Sequence, residues 1–193
     1  MKLLAFSDVH CDLGAVDSLV AQASDVDIVA GVGDFASVHE GLEQTLRPLR
    51  AIEVPVLLVP GNNETVDALR EACEGWEGVR VLHGEAAEVD GVSFFGLGAG
   101  VPTTPWDWSF DLTDEEAAEM LASMEEGSVL LSHSPPKGHV DKGFGSEAVL
   151  AAARDKRARA VLCGHIHEEW GSESRIGDTP VRNLGPDGYV LEI

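Results

Sequence analysis

Apolar residues fall in short runs along the first half of the chain, and segments with helical spacing separate these runs. The runs are aliphatic and β-branched, as in KLLAF, DIVAGVGD, VPVLLVPG and VRVLHG. Between the first two runs, Leu13, Val16, Leu19 and Val20 recur at the spacing of one helix face. Because strands that alternate with helices are typical of βαβ units, this pattern predicts an α/β fold.

The pattern changes after Val89. The segment GVSFFGLG leads to an aromatic loop, PWDWSF, and then to a helix whose start is indicated by Thr113 and Glu116 in capping-box spacing. Strands resume with SVLLSH, a further helix is predicted from about Ser146, and ARAVLCGH follows it. The tail TPVRNLGPDGYVLEI predicts closing strands with a Pro-Asp-Gly turn. No repeat or linker divides the chain, so we expect residues 1–193 to form one domain.

Polar side chains follow five of the predicted strands at the point where each strand ends. They are Asp8 and His10, Asp34, Asn62 to Glu64, His133, and His165 with His167. In open α/β sheets the loops that leave these ends converge, and ligand sites assemble there. Alternate residues of an extended segment share a face. We therefore expect Asp8 with His10, and His165 with His167, each to direct two donors the same way.

The chemistry of these side chains favours a metal centre. Two carboxylates, one amide oxygen and four imidazoles suit Mn²⁺, Fe²⁺, Co²⁺ or Zn²⁺ better than Ca²⁺ or Mg²⁺. With one shared carboxylate they can hold two ions ~4 Å apart, which polarise phosphoryl oxygens and lower the pKa of a bridging water. Each motif alone is weak, because a strand-end Asp is commonly a cap and a lone His is commonly structural. The five motifs together favour the metal site.

Composition indicates a globular protein. The chain is 44% hydrophobic and 24% charged, and no apolar run approaches the ~20 residues that span a bilayer. Ser7 and Asp8 interrupt the N-terminal apolar run before a signal-peptide core is complete, so we expect a cytoplasmic protein. The cysteines Cys11, Cys73 and Cys163 are far apart and form no CxxC, which favours free thiols.

The charge balance is strongly acidic, with 34 Asp and Glu against 13 Lys and Arg and a formal net charge of −21. This sign disfavours nucleic acid as a partner, because phosphate-backbone binding depends on clustered Lys and Arg. The acidity fits either ordinary solubility or adaptation to concentrated salt. We favour adaptation to salt, since ions screen the self-repulsion of an acidic surface.

The motifs D-x-H, G-D, G-N-x-E, H and G-H-x-H, in that order from Asp8 to His167, resemble the calcineurin-like metallophosphoesterase superfamily. The resemblance implies a β-sandwich flanked by helices, a four-layer αββα fold, with the metals at the strand ends. It implies one ion held by Asp8, His10, Asp34 and His167, and a second held by Asp34, Asn62, His133 and His165. Two Mn²⁺ ions are the expected cofactors, with Fe, Co, Ni or Zn as alternatives.

Finer features resemble one branch, the small phosphodiesterases that include the animal brain-expressed metallophosphoesterase-domain proteins and their prokaryotic relatives. The segments LLSHSPPKG, FGSEAVL, CGHIHEEWG and PWDWSF carry this resemblance. Protein serine/threonine phosphatases have an Asp and an Arg shortly after the second motif, where this chain has FASVH. The implied function is hydrolysis of small phosphodiesters by attack of a metal-bridging hydroxide. Nucleotide esters are candidate substrates within this class.

Three alternatives to the phosphodiesterase remain open. An interaction scaffold of the same fold would have lost turnover, but such scaffolds tend to lose metal-ligating histidines, and here every expected ligand is present. A nuclease is disfavoured by the net charge of −21. A phosphomonoesterase is the third. We expect a small phosphoester as substrate, with neither nucleic acid nor membrane as partner.

Candidate catalytic and substrate residues lie outside the ligand set. Most superfamily members have His where this chain has Asn63, and an amide can hydrogen-bond a phosphoryl oxygen but cannot give up a proton near neutral pH. His139 is a candidate replacement acid, although a solvated loop histidine is the favoured interpretation. Trp106 and Trp108 either fill the sheet edge as core residues or form a wall on which a nucleobase stacks.

Overall fold

Two β-sheets pack face to face in the computed structural model, which describes residues 1–193. The first sheet has the order β11-β1-β2-β3-β4, with β1 (Lys2–Phe6), β2 (Ile28–Val32), β3 (Val56–Val59), β4 (Val79–Val81) and β11 (Tyr189–Glu192). The second has the order β5-β6-β7-β8-β10-β9, with β5 (Glu85–Val89), β6 (Val92–Leu97), β7 (Val129–Ser132), β8 (Ala160–Cys163), β9 (Glu173–Ile176) and β10 (Thr179–Asn183).

Helices cover the outer face of each sheet. They are α1 (Leu13–Gln22), α2 (Leu42–Leu49) and α3 (Val66–Ala72) on the first sheet, and α4 (Asp114–Leu121) and α5 (Glu147–Asp155) on the second. The predicted four-layer αββα arrangement in one domain is confirmed. No helix combines the length and the apolar composition needed to cross a membrane.

Three apolar cores separate these layers. Alternate residues of β1 serve different cores: Leu4 and Phe6 pack under the helices of the first sheet, whereas Leu3 and Ala5 pack between the two sheets. A third core lies between the second sheet and its helices and contains Phe95. Because successive strand residues point to opposite faces, a strand buried on both faces has the continuous apolar sequence seen in KLLAF.

The predicted helix starts are confirmed, and two strands were not predicted. Thr113 and Glu116 form a reciprocal capping box at α4, and the Ser146 hydroxyl accepts a hydrogen bond at the start of α5. The strands β5 and β9 have the polar sequences EAAEV and ESRI. Both are edge strands that pair antiparallel with β6 and β10, so a neighbouring strand rather than an apolar pattern defines them.

The strand directions place the polar loops together. β1, β2 and β3 run parallel in one sheet, and β6, β7 and β8 run parallel in the other. The carboxyl ends of these strands meet at one end of the sandwich, where Asp8, Asp34, His133 and His165 approach one another.

Candidate metal centre

The first cluster of ligand atoms contains Asp8, His10, Asp34 and His167, whose donor atoms all lie within 4.8 Å of one another. His10 Nε2 is 3.5 Å from Asp34 Oδ2, and His167 Nε2 is 3.7 Å from Asp8 Oδ1. The two Nε2 atoms are 3.1 Å apart. Two carboxylates and two imidazoles therefore converge on one point.

The second cluster contains Asp34, His133 and His165, again within 4.8 Å. His133 Nε2 lies 3.5 Å from Asp34 Oδ1. Asn62 Oδ1 completes the cluster, at 3.2 Å from His133 Nε2 and 3.0 Å from His165 Nδ1. Asp34 thus faces the first cluster with Oδ2 and the second with Oδ1, and all seven predicted ligands are brought together.

Four of the seven candidate ligands have a left-handed backbone conformation. Asp8, His10, Asp34 and His165 have positive φ angles of 55°, 40°, 58° and 69°, and they lie beyond the ends of their strands. The expectation that His165 and His167 direct their donors the same way, as alternate strand residues do, is therefore wrong. His165 faces the second cluster and His167 the first. Left-handed residues redirect the chain, and such conformations concentrate at functional sites.

Two glycines permit the close approach of these loops. A Cβ atom at Gly61 would overlap the backbone nitrogen and carboxylate of Asp34. A Cβ atom at Gly164 would overlap the Asp8 carboxylate and the Ser7 hydroxyl. The glycines of the G-N and G-H motifs are therefore explained by space, since any side chain would push a candidate ligand away.

Hydrogen bonds to backbone carbonyls fix the tautomers of two of the candidate ligand histidines. Nδ1 of His133 donates to the Val32 carbonyl at 2.9 Å, and Nδ1 of His10 donates to the Ala36 carbonyl at 3.1 Å. When its ring is neutral, each of these histidines presents an Nε2 lone pair to its cluster, which is the arrangement of metal-binding histidines. The Nε2 atoms of His10 and His167 lie 3.1 Å apart beside the Asp8 and Asp34 carboxylates, so a cation between them would contact all four donors. The donor set therefore fits two divalent ions.

The ionisable groups of the second cluster shift one another's pKa. Burial opposes ionisation of Asp34, but His133 and His10 outweigh it and lower the pKa of that carboxyl. Burial likewise opposes protonation of His133, and the Asp34 carboxylate outweighs it and raises the pKa of His133 to about 9. Burial, together with His133, lowers the pKa of His165 to about 4. At pH 7, one of the two imidazoles is therefore protonated.

Metal binding at this cluster should release a proton. With a pKa of about 9, His133 must lose its proton before it can bind an ion, whereas His165 is already neutral. Below pH 9, the apparent affinity for Mn²⁺ should then fall by about tenfold per pH unit. Titration calorimetry at pH 7.5 in buffers of different ionisation enthalpy counts the protons. His139→Asn should leave the count unchanged, and a count of zero in the native protein would contradict the assignment.

Glu64 is a site residue whose role was not predicted. The residue is 1% exposed, and its carboxylate accepts hydrogen bonds from the backbone nitrogens of Asp34 at 2.9 Å, Ala36 at 2.9 Å and Gly61 at 2.6 Å. Burial and the neighbouring Asp34 carboxylate raise the pKa of Glu64 to about 7. The side chain ties the loop after β2 to the loop after β3. The Glu at the end of the G-N-x-E motif was the sequence feature that could have indicated this role.

The two candidate catalytic residues lie in different surroundings. Asn63 is buried: its Oδ1 accepts from the Val38 backbone nitrogen at 2.8 Å, and its Nδ2 donates to Asp34 Oδ2 at 2.8 Å. Its amide thus orients the shared carboxylate. His139 Nδ1 lies 2.8 Å from the Ser174 hydroxyl, and His139 is not among the residues that line the cavity at the clusters.

A cavity of about 830 Å³ opens over both clusters. Trp106 and Trp108 line it, stacked with their ring centroids 5.5 Å apart and their planes at 13°. Trp106 is 50% exposed, and neither ring belongs to an apolar core. His39 Nε2 lies 2.6 Å from the Trp108 carbonyl oxygen, so the loop that follows Asp34 contacts the aromatic loop.

Asp111 connects the aromatic loop to the second cluster. Its Oδ1 accepts from the Ser109 hydroxyl at 2.7 Å, and that hydroxyl accepts from Asn62 Nδ2 at 2.9 Å. Its Oδ2 accepts from the backbone nitrogen and the hydroxyl of Thr104, at 2.7 and 2.8 Å. This network holds the Asn62 amide with Oδ1 towards the histidines. No sequence motif indicated it.

Comparisons with known proteins identify the family of this chain. The model of the calcineurin-like phosphoesterase superfamily domain matches residues 1–189. A search of curated proteins found no match.

Solved structures share the fold. A protein from Thermus thermophilus has a TM-score of 0.80 at 19% identity, covering 96% of this chain and 90% of that one. An archaeal phosphodiesterase has a TM-score of 0.60 at 18% identity, covering 96% and 84%. A dimetal phosphatase from Danio rerio has a TM-score of 0.63 at 15% identity, covering 96% and 88%. At these identities the likeness concerns the fold alone.

Proposed function

The chain belongs to the calcineurin-like phosphoesterase superfamily, and from that premise we propose that it is a dinuclear-metal-dependent phosphodiesterase acting on small phosphodiesters. One observation carries the proposal: Asp34 faces two clusters of ligand atoms, one with each carboxylate oxygen, at the floor of an open cavity. A shared carboxylate between two donor sets is the geometry that a two-metal site requires.

The proposed cofactors are two Mn²⁺ ions, because carboxylate, amide and imidazole donors together suit borderline divalent metals. One ion would be held by Asp8, His10, Asp34 and His167, and the other by Asp34, Asn62, His133 and His165. When bound, such ions polarise phosphoryl oxygens and lower the pKa of a coordinated water.

The remaining cavity residues position a metal ligand or bind the substrate. Asn63 holds the Asp34 carboxylate in place, and the Trp106 and Trp108 rings offer an apolar wall to an organic group of the substrate. No lining side chain outside the ligand set is a histidine. We therefore expect good leaving groups to react fastest, because a positioned general acid helps poor leaving groups most.

The cavity favours a diester over a monoester. Its 830 Å³ is a volume that accommodates drug-sized organic molecules, of which a phosphate group fills a small part. No arginine lines it, and Lys137 and Lys142 are its only lysines. A monoester is largely a dianion near neutral pH and needs more positive charge than a diester, which is a monoanion. Two ester groups and one negative charge fit this surface better.

The test compares two nitrophenyl esters on protein that was stripped by a chelator and reloaded with Mn²⁺. We expect kcat/KM for bis(4-nitrophenyl) phosphate to exceed that for 4-nitrophenyl phosphate by about tenfold or more, a difference of about 1.4 kcal/mol. Chelation should abolish both activities and Mn²⁺ should restore them. Preference for the monoester would identify a phosphomonoesterase. Two bound metals without any turnover would identify the interaction scaffold.

A further inference from the structure

The second wall of the cavity is the loop of residues 135–145, which contributes no metal ligand. The loop folds around the buried Asp141 carboxylate, which accepts from the backbone nitrogens of Gly138 at 2.8 Å, Gly143 at 3.0 Å and Gly145 at 3.0 Å. Lys137 Nζ donates to the Gly143 carbonyl at 2.5 Å. These contacts order the loop before any ligand arrives, and preorganisation lowers the cost of binding.

Exposed aromatic rings stand on both walls. Phe144 on this loop is 69% exposed, and Trp106 on the aromatic loop is 50% exposed. Both line the same cavity. Large apolar side chains left in water at the mouth of a cavity indicate a surface that binds an apolar group. Phe144 and Trp106 therefore offer apolar surface to an organic group of a bound substrate.

Positive charge is scarce in this chain but is present at this wall. Two of the four lysines, Lys137 and Lys142, line the cavity of a protein whose net charge is −21. Lys142 is paired with Glu169 at 2.8 Å, and Glu168 also lines the cavity, so the charge of Lys142 is already offset.

The Lys137 ammonium has hydrogen-bond donors that no protein group accepts. Its ammonium has three N–H groups, and only the bond to the Gly143 carbonyl is made within the protein. Against its burial, three backbone N–H groups and the Lys137 ammonium lower the pKa of the Asp141 carboxyl, but Lys137 Nζ makes no ion pair with that carboxylate. Lys137 is thus the one cavity cation without an ion-pair partner.

We propose that Lys137 forms a subsite for a second negatively charged group of the substrate, a carboxylate or a phosphate carried on an aromatic ester group. The inference rests on the proposed function, because the phosphodiester at the metal clusters determines where its ester group lies. The ring would pack between Trp106 and Phe144, and its anionic substituent would accept hydrogen bonds from Lys137 Nζ. The substrate class is therefore an aryl or nucleoside phosphodiester that carries an additional negative charge.

Two matched esters test the subsite: 4-carboxyphenyl 4-nitrophenyl phosphate and its methyl carboxylate ester. They differ only in whether the distal ring carries a charge. In the native protein, KM for the carboxylate should be about fivefold lower, the upper range for a partly exposed ion pair. Lys137→Met should abolish or reverse this preference, whereas loosening of the loop through loss of the Gly143 contact would raise KM for both esters by the same factor.

The matched control is Lys156→Met, which removes the same charge from the C-terminal end of α5, where Lys156 Nζ donates to the Ala122 carbonyl. It should keep the fivefold preference. Equal KM values for the two esters in the native protein, or equal loss in both variants, would overturn the subsite and leave the phosphodiesterase proposal standing. If neither ester is hydrolysed, the proposed function fails. Their dissociation constants, from quenching of tryptophan fluorescence, then decide the subsite by the same ratio.

Discussion

Asp34→Asn is expected to remove both metal ions and to lower kcat/KM for diester hydrolysis by about a thousandfold. Asp34 Oδ2 faces His10 and Oδ1 faces His133, so its carboxylate is the only side chain that belongs to both clusters. Asn keeps one oxygen and turns an NH₂ group towards the other cluster, where it cannot act as a ligand. Losing the ions forfeits several kcal/mol of transition-state stabilisation.

Metal content by mass spectrometry and kcat/KM for bis(4-nitrophenyl) phosphate measure this effect. The matched control is Asp17→Asn, which makes the same change on the exposed face of α1 and should alter neither quantity. Retention of native metal content and turnover by Asp34→Asn would contradict the shared-ligand assignment. Loss of one ion with the other retained would contradict the expected loss of both, and would show that the remaining amide oxygen is sufficient for one of the two clusters.

Glu64→Gln is expected to weaken both the fold and the metal centre. The Glu64 carboxylate accepts three backbone N–H groups, and a glutamine amide would turn its NH₂ towards at least one of them. A buried donor left without an acceptor costs about 2 kcal/mol, so the free energy of unfolding should fall by that amount. Because Glu64 holds the backbone of Asp34 and Gly61, the affinity for Mn²⁺ should also fall by about 10- to 100-fold.

Urea unfolding of the metal-free protein and a Mn²⁺ titration separate these two effects. The matched control is Glu71→Gln on α3, where the exposed side chain makes no hydrogen bond, and it should leave both quantities at their native values. Native stability together with native metal affinity in Glu64→Gln would show that the three backbone contacts do not position the centre.

The apolar pattern was sufficient for individual strands wherever burial determines the residue type, whereas the four-layer arrangement was implied by the resemblance to the superfamily. Strands such as β1 and β2 are buried on both faces, so a continuous apolar run marks each one. The same reasoning missed β5 and β9, because edge strands with one exposed face tolerate the polar sequences EAAEV and ESRI. Their strand state comes from pairing with β6 and β10.

The sequence by itself also determined the chemistry of the candidate site, since the seven ligand types and their order along the chain are local features. The grouping of the ligands was implied by the resemblance to the superfamily, and only the tertiary structure brings the grouped residues into contact. His10 lies against His167 across 157 positions, and His133 lies against Asn62 across 71 positions. Left-handed residues beyond the strand ends set these pairings, and strand alternation does not extend to them. The positions of Glu64, Asp111 and Lys137 at the site likewise depend on loops that are distant in sequence and adjacent in space.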